Sequence, residues 1–294
     1  MTETPARRAS IWDDAENAAQ YAAYTRQFPM YALTSRDLVR LAGLVPDATV
    51  VDLACGTGVT SQQILAALGP DGRLTGVDRS AAMLAVAASS VQDDRVSWVQ
   101  APAEEFDQQV TGPADAVICN SAIWQTQFTR TVAAVRAVLA GDGIFAFNIG
   151  VEFVRGAGRD RRSAERPGDE PSLIGTMRTI AAAEYGWSSP ASRASTGTGS
   201  TGTGSPHRYL SEDEIEQVLR DSGFPAVRTQ WVDYELPPGS LLAWLRVPAF
   251  TDRQLPGLPY EVRMTVLDKA CEQLGPVEAG VSRWLTVAAT ARST

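Results

Sequence analysis

The sequence predicts an α/β protein: a doubly wound, seven-stranded, mostly parallel sheet with an N-terminal helical lid and inserted cap segments. Three observations lead there. Short apolar strands alternate with amphipathic helices from Thr49 to Gly150, the first strand runs directly into a glycine-rich turn, and two further strand patterns near the end can close the sheet as a hairpin pair. A chain of 294 residues that is 44% hydrophobic can bury a core of that size.

The elements follow in order. Residues 11–45 read as helix, rich in alanine, with Trp12, Tyr21, Tyr24, Phe28 and Tyr31, and interrupted by Pro29. Strands are expected at Thr49–Leu53, Arg73–Val77, Arg95–Val99 and Ala114–Cys119, with helices at Val59–Leu68, Ala81–Ser89 and Thr131–Leu139 between them. Gly141-Asp142-Gly143 reads as a turn into a fifth strand, Ile144–Ile149. The rhythm then breaks. Residues 151–206 are rich in Arg, Gly, Ser and Pro, and 190–206 carries a repeated Ser-Thr-Gly-Thr-Gly tract that reads as mobile, either a plain insertion or a lid. Leu173–Tyr185 within it is a candidate helix. Ser211 with Glu214 forms a capping-box pattern that opens a helix with Ile215, Val218 and Leu219 on one face and Gly223 as its stop. Val227–Leu236 and Val281–Ala291 supply strands six and seven, around a proline-rich insertion with a helix near Val262–Leu274. The resulting division is a lid over 1–46, a core from 47–150, 207–236 and 281–294, and a cap from 151–206 and 237–280.

Charge and composition narrow the function. The formal net charge of −8 argues against a nucleic-acid partner, because no basic surplus exists to displace counterions. No apolar run is long enough to span a bilayer and the first ten residues lack a signal core, so no membrane partner and a cytoplasmic location are expected. Cys55, Cys119 and Cys271 have neither disulfide-scaffold nor metal-ligand spacing, so no metal is expected. His207 is the only histidine and Lys269 the only lysine. The preference for Ala and Arg suggests a bacterial source.

The informative stretch is Val50-Val51-Asp52-Leu53-Ala54-Cys55-Gly56-Thr57-Gly58. A buried strand enters a turn whose glycines admit close approach of a ligand, and the helix starting near Val59 aims its N-terminus at the same place. A second strand ends at Asp78, where a carboxylate can accept both hydroxyls of a ribose. The spacing is not the GxGxxG of a dinucleotide site, and the loop begins with an acid, which suits a ligand with a charged amine and no phosphate.

These residues resemble motif I of the class I S-adenosyl-L-methionine (SAM)-dependent methyltransferases. Further segments resemble the same family in order: Gly76-Val77-Asp78-Arg79-Ser80-Ala81-Ala82-Met83-Leu84 its second-strand acidic motif, Ala114–Trp124 its fourth-strand motif, and Val135–Gly143 the helix and turn before its fifth strand. The resemblance implies a Rossmann-like methyltransferase fold with SAM as cofactor. It implies that Asp52, Ala54, Gly56 and Gly58 surround the methionine half, that Asp78 binds the ribose, and that Arg79 and Met83 flank the adenine. Asn120 and Ser121 would lie near the sulfonium. Ala54 replaces the usual first glycine, which is tolerable if φ stays negative. Pro102 stands where the family commonly has an adenine-binding Asp, leaving adenine to the Ala103 backbone amide with Glu104 as a substitute.

Methyl transfer needs alignment and exclusion of water, and needs a base only where the accepting atom must lose a proton. His207 is the candidate base, or else an exposed loop residue; Gln125 and Tyr24 rank below it. Trp124 is either core or a pocket wall that offers its face to the sulfonium. Arg208 either holds an anionic group or pairs with an acid of the following helix, and Tyr21 and Tyr24 are candidate substrate contacts. The expected function is methyl transfer to O, N or C of a small, partly apolar molecule, as in specialised (secondary) metabolism. The alternative is a non-methylating reaction on the same fold, such as a cyclisation with SAM bound.

Overall fold

The structure is a computed structural model that describes residues 10–157, 172–189, 209–275 and 280–291. A seven-stranded sheet forms its centre, in the order β3-β2-β1-β4-β5-β7-β6. The strands are β1 (Thr49–Leu53), β2 (Arg73–Asp78), β3 (Val96–Gln100), β4 (Ala114–Cys119), β5 (Leu139–Gly150), β6 (Ala226–Leu236) and β7 (Gly280–Thr290). β1 to β5 pair in parallel, whereas β7 lies antiparallel between β5 and β6. Chain order reverses at β1, which has β2 on one side and β4 on the other, so a crevice opens at their carboxyl ends.

Burial follows position in the sheet. Val50, Val51, Asp52 and Leu53 of β1 are all buried, as a central parallel strand covered on both faces requires. The edge strand β6 instead alternates, with Arg228, Gln230 and Glu235 exposed and Tyr234 buried. The two faces are packed by opposite sets of helices. Val50, Ala116, Ile118 and Ala146 meet Leu38 and Val39 of α2 (Met30–Ala42) and Ile64 and Leu65 of α3 (Val59–Ala67). On the other face Val51, Val117, Phe145 and Phe147 meet Val132 and Val135 of α5 (Phe128–Val138) and Ile215 and Leu219 of α7 (Glu212–Asp221). Helix α4 (Ala81–Ser90) follows β2, capped by the Ser80 hydroxyl.

The first helical stretch divides at Pro29 into α1 (Ala15–Gln27) and α2. Only α1 is wholly lid-like; α2 places Leu38 and Val39 in the sheet's own core. The two insertions pack on each other. Leu173, Met177 and Ile180 of α6 (Leu173–Tyr185) pack with Leu245 of α8 (Ser240–Leu245), Leu255 just beyond α9 (Pro248–Gln254), and Val266 and Leu267 of α10 (Tyr260–Leu274). The Ser211–Glu214 capping box forms as the sequence predicts. Gly141–Gly143 departs from expectation: β5 runs unbroken from Leu139, with Ala114 opposite Leu139 and Ala116 opposite Ile144, so the three residues bulge outward within the strand. His207, Arg208 and the 190–206 tract lie outside the described residues.

Gly76 shows how tightly the sheet is covered beside the crevice. A Cβ there would stand 2.3 Å from the Trp98 ring. Replacing Gly76 by Ala is expected to destabilise the protein by about 1–3 kcal/mol through forced displacement of that ring, read as a lowered urea midpoint.

Candidate active site

The glycine turn after β1 is held by its neighbours. Cys55 N–H donates to the Val77 carbonyl and Gly58 N–H to the Cys55 carbonyl, and Gly56 N–H donates to Asp78 Oδ2 at 2.8 Å. Asp78 Oδ1 accepts from Ser80 N–H at 2.9 Å, so this carboxylate ties the turn to the start of α4. Three residues of the turn have positive φ: Ala54 at 56°, Gly56 at 54° and Gly58 at 86°. For Ala54 the negative φ that would have made the replacement of glycine tolerable is therefore not met. The turn needs a left-handed residue at its first position, and an L side chain there carries strain of order 1–2 kcal/mol.

A cavity of about 810 Å³ opens above this turn. Ala54, Gly56, Asp78, Arg79 and Met83 form its floor, with Pro102, Ala103 and Glu104 beside them. Asn120, Ser121, Trp124 and Gln125 form the β4 side, and Tyr21, Tyr24 and Tyr31 close it from the lid. Trp124 is thus a wall residue, stacked on Phe153 with ring centroids 3.8 Å apart. Asp52 and Gly58 do not line the cavity. Asp52 is buried under the turn, where its Oδ2 accepts from Ser61 Oγ at 2.6 Å. A Cβ on Gly58 would stand 3.1 Å from Val91, so this glycine lets α3 approach α4 instead of facing a ligand.

Asn120 faces the cavity, but its amide is engaged elsewhere. Its Nδ2 donates to the Tyr31 carbonyl and to Ser35 Oγ, and its Oδ1 accepts from Asn148 Nδ2 at 2.8 Å. Asn148 Oδ1 in turn accepts the Ser121 N–H at 2.7 Å, which holds Ser121 at φ 61°. Ser80 Oγ donates to the Trp12 carbonyl at 2.7 Å, and Tyr21 lies over Gly56, so the lid is fastened above the floor.

Sequence reasoning did not single out Glu152, Phe153, Arg178 or Arg253, which form the far wall. Arg178 had a readable signal: it sits one turn after Ile174 on a helix otherwise carrying an apolar stripe.

The electrostatics favour a cation near the floor. Burial pushes Asp52 up to about 7, eased by its Ser61 bond and raised further by Asp78. Asp78 is raised too, chiefly by burial and against the Ser80 and Gly56 N–H groups that support its charge. Burial holds the Tyr21 and Tyr24 phenols above their ordinary range and Tyr31 at about 12, so all three stay neutral near pH 7 and serve as hydrogen-bonding groups, not bases. A carboxylate beside an apolar slot at Met83 and Ala103 fits a ribose and base. The paired acids fit a positively charged ligand and oppose a pyrophosphate.

Two outcomes are expected. Ala54→Gly should raise stability by about 0.5–1 kcal/mol in chemical denaturation, since strain relief exceeds the added chain entropy. An acid whose folded pKa lies above its unfolded value takes up protons on folding. Asp52 therefore adds stability at low pH that is lost as pH rises from about 4 to 7. Asp52→Asn should flatten that decline by on the order of 3 kcal/mol, read from denaturation curves at pH 4 and 8.

Comparison with known proteins agrees with this geometry. Residues 50–143 match the sequence model of a family described as a methyltransferase domain. Among curated proteins nothing matches the chain. Several solved structures share the fold. Phosphoethanolamine N-methyltransferase 2 of Haemonchus contortus, solved with SAM, is 14% identical at a TM-score of 0.55, covering 98% of this chain and 61% of its own. The YcgJ protein of Bacillus subtilis is 16% identical at 0.54, covering 88% and 99%. The cyclopropane synthase MmaA2 of Mycobacterium tuberculosis is 16% identical at 0.50, covering 87% and 82%. No described helix is long and apolar enough to cross a membrane. The motif order and the sheet topology agree with the match over 50–143, so this stretch reads as a methyltransferase domain on the fold that the class I SAM-dependent enzymes share, a family whose cofactor is SAM.

Proposed function

We propose that this protein transfers a methyl group from SAM to O, N or C of a small, partly apolar molecule of the kind made in specialised metabolism. One observation carries the reading: the cavity that holds Asp78 on its floor continues without a break into an aromatic-walled compartment. A volume of about 810 Å³ lies at the upper end for small-molecule sites, with space for a cofactor and an acceptor side by side. Bound SAM supplies an activated methyl group on a sulfonium.

The chain's own residues then bind, orient and exclude water. Asp78, already oriented by two N–H groups, keeps a lone pair on each oxygen for ribose hydroxyls. Met83, Pro102 and Ala103 offer an apolar slot for the base, with Arg79 and Glu104 at its rim. Ala54 and Gly56 leave the turn without side-chain bulk next to the methionine half. Tyr21, Tyr31 and Trp124 surround the transfer point with aromatic surface that attracts a cation and displaces water. Asn120 and Ser121 fix the β4 end beside it. Gln125 and Tyr24 border the acceptor compartment. Where the acceptor must lose a proton, we assign its removal to His207, two residues before Tyr209, and we assign Arg208 to contact with the acceptor. The net charge of −8 supports a small-molecule acceptor over a nucleic acid.

The test is calorimetric titration with SAM, with S-adenosylhomocysteine and with NAD, followed by measurement of S-adenosylhomocysteine release during acceptor screening. Micromolar binding of both sulfur ligands without NAD binding is expected. Asp78→Ala should weaken SAM binding by about 1.5–3 kcal/mol, the value of hydrogen bonds to a charged group. An unchanged affinity in that variant would sink the assignment of Asp78. Acceptor turnover without S-adenosylhomocysteine release would favour a cyclisation-type reaction.

A further inference from the structure

The far end of the cavity has a charge character that the methyl-transfer reading leaves unused. Each of the two cap insertions delivers one arginine to the same wall, Arg178 from α6 and Arg253 from α9. Elsewhere in the cap, Arg246 and Arg263 pair with Asp268 and Asp252. Among the described residues, no carboxylate forms an ion pair within 4.0 Å of Arg178 or Arg253. Among the described residues, Glu152 is the one acid on this part of the wall, which leaves them a surplus of one positive charge. Burial disfavours the charged form of Arg253, partly offset by Glu152 at longer range.

Both guanidinium groups are prepared for a ligand. Arg178 Nη2 donates to the buried Gln254 Oε1 at 3.1 Å, which orients it. Arg253 lies 3.8 Å from the Phe153 ring centroid and 4.9 Å from that of Trp124. The two rings anchor the guanidinium, and no described group accepts a hydrogen bond from it, so its N–H groups can meet a planar oxyanion. The surrounding wall is apolar, from Ile174, Leu241, Trp244 and Phe250.

We propose that Arg178 and Arg253 form a carboxylate subsite, and that the acceptor is an apolar or aromatic molecule carrying one carboxylate. A surplus of one positive charge matches a monovalent carboxylate. A phosphate monoester, bringing nearly two negative charges, would face Glu152 uncompensated. The word acceptor rests on the methyltransferase reading; the anion subsite rests on the cap residues alone.

The experiment compares aryl and alkyl carboxylic acids with their matched primary amides, naphthalene-2-carboxylate against 2-naphthamide first. Each is titrated into the full chain saturated with S-adenosylhomocysteine and followed by calorimetry. At least one acid is expected to bind about tenfold or more tightly than its amide, as a charge-assisted bond in an apolar wall should give. Arg253→Gln or Arg178→Gln should abolish that preference while leaving S-adenosylhomocysteine affinity unchanged. The proposal is overturned if no acid outbinds its amide in the unaltered protein, including the case where none binds. It is equally overturned if the preference survives in both variants. The comparison on unaltered protein decides even if a variant fails to fold. Should S-adenosylhomocysteine itself not bind, the titrations run without it. An acid preference then keeps the subsite while the methyltransferase reading falls.

Discussion

The carboxamide of Asn120 is the interaction on which the geometry of this site depends. It joins three things that the sequence keeps far apart: the carboxyl end of β4, the neighbouring strand β5 through Asn148, and helix α2 through Ser35 and the Tyr31 carbonyl. A side chain at the switch point is commonly assumed to reach for the ligand. Here both ends of the amide are already satisfied by protein, and a buried amide left half satisfied would cost about 1–3 kcal/mol. Asn120 therefore shapes the cavity by placing Ser121 and Tyr31, both of which line it.

Beneath that frame the chemistry is set by burial of acids. Asp52 and Asp78 are both nearly inaccessible, and the Asp78 carboxylate makes the charge on Asp52 less favourable still. Neighbouring backbone and hydroxyl donors stabilise them only in part. The result is a floor where a cation is welcome. At the opposite end two arginines reverse the sign, and the aromatic compartment lies between. A molecule that spans the cavity thus meets a potential that changes from negative to positive along its length.

Much of the fold was legible because local rules and tertiary packing agree. The strand from Thr49 to Leu53, the helix from Leu173 to Tyr185 and the Ser211 capping box all carry their signals within a few residues. The floor of the cavity was legible from the same stretch. What escaped depends on neighbours distant in sequence. Asp52 precedes the glycine turn, yet Ser61 draws its carboxylate beneath it. Gly58 serves α4, an element about thirty residues on. The sign of φ at Ala54 follows from how the turn is tied to β2, which residue type alone does not encode. Arg178 and Arg253 lie in segments that read as insertions, and the packing of α6 and α9 on α10, with Arg178 bonded to Gln254, brings the two to one wall.

Ser80 takes part in both the floor and the roof. Its N–H orients Asp78, and its hydroxyl caps α4 while holding the carbonyl of Trp12. Occupancy of the floor and attachment of residues 10–28 are therefore linked functions of one turn. By reciprocity, whatever free energy a ligand at Asp78 contributes to steadying the roof, the closed roof returns as affinity for that ligand. A ligand bound at Asp78 would draw on the attachment of the segment that leads into α1, and the backbone amides of α1 would report it by slowed exchange with solvent.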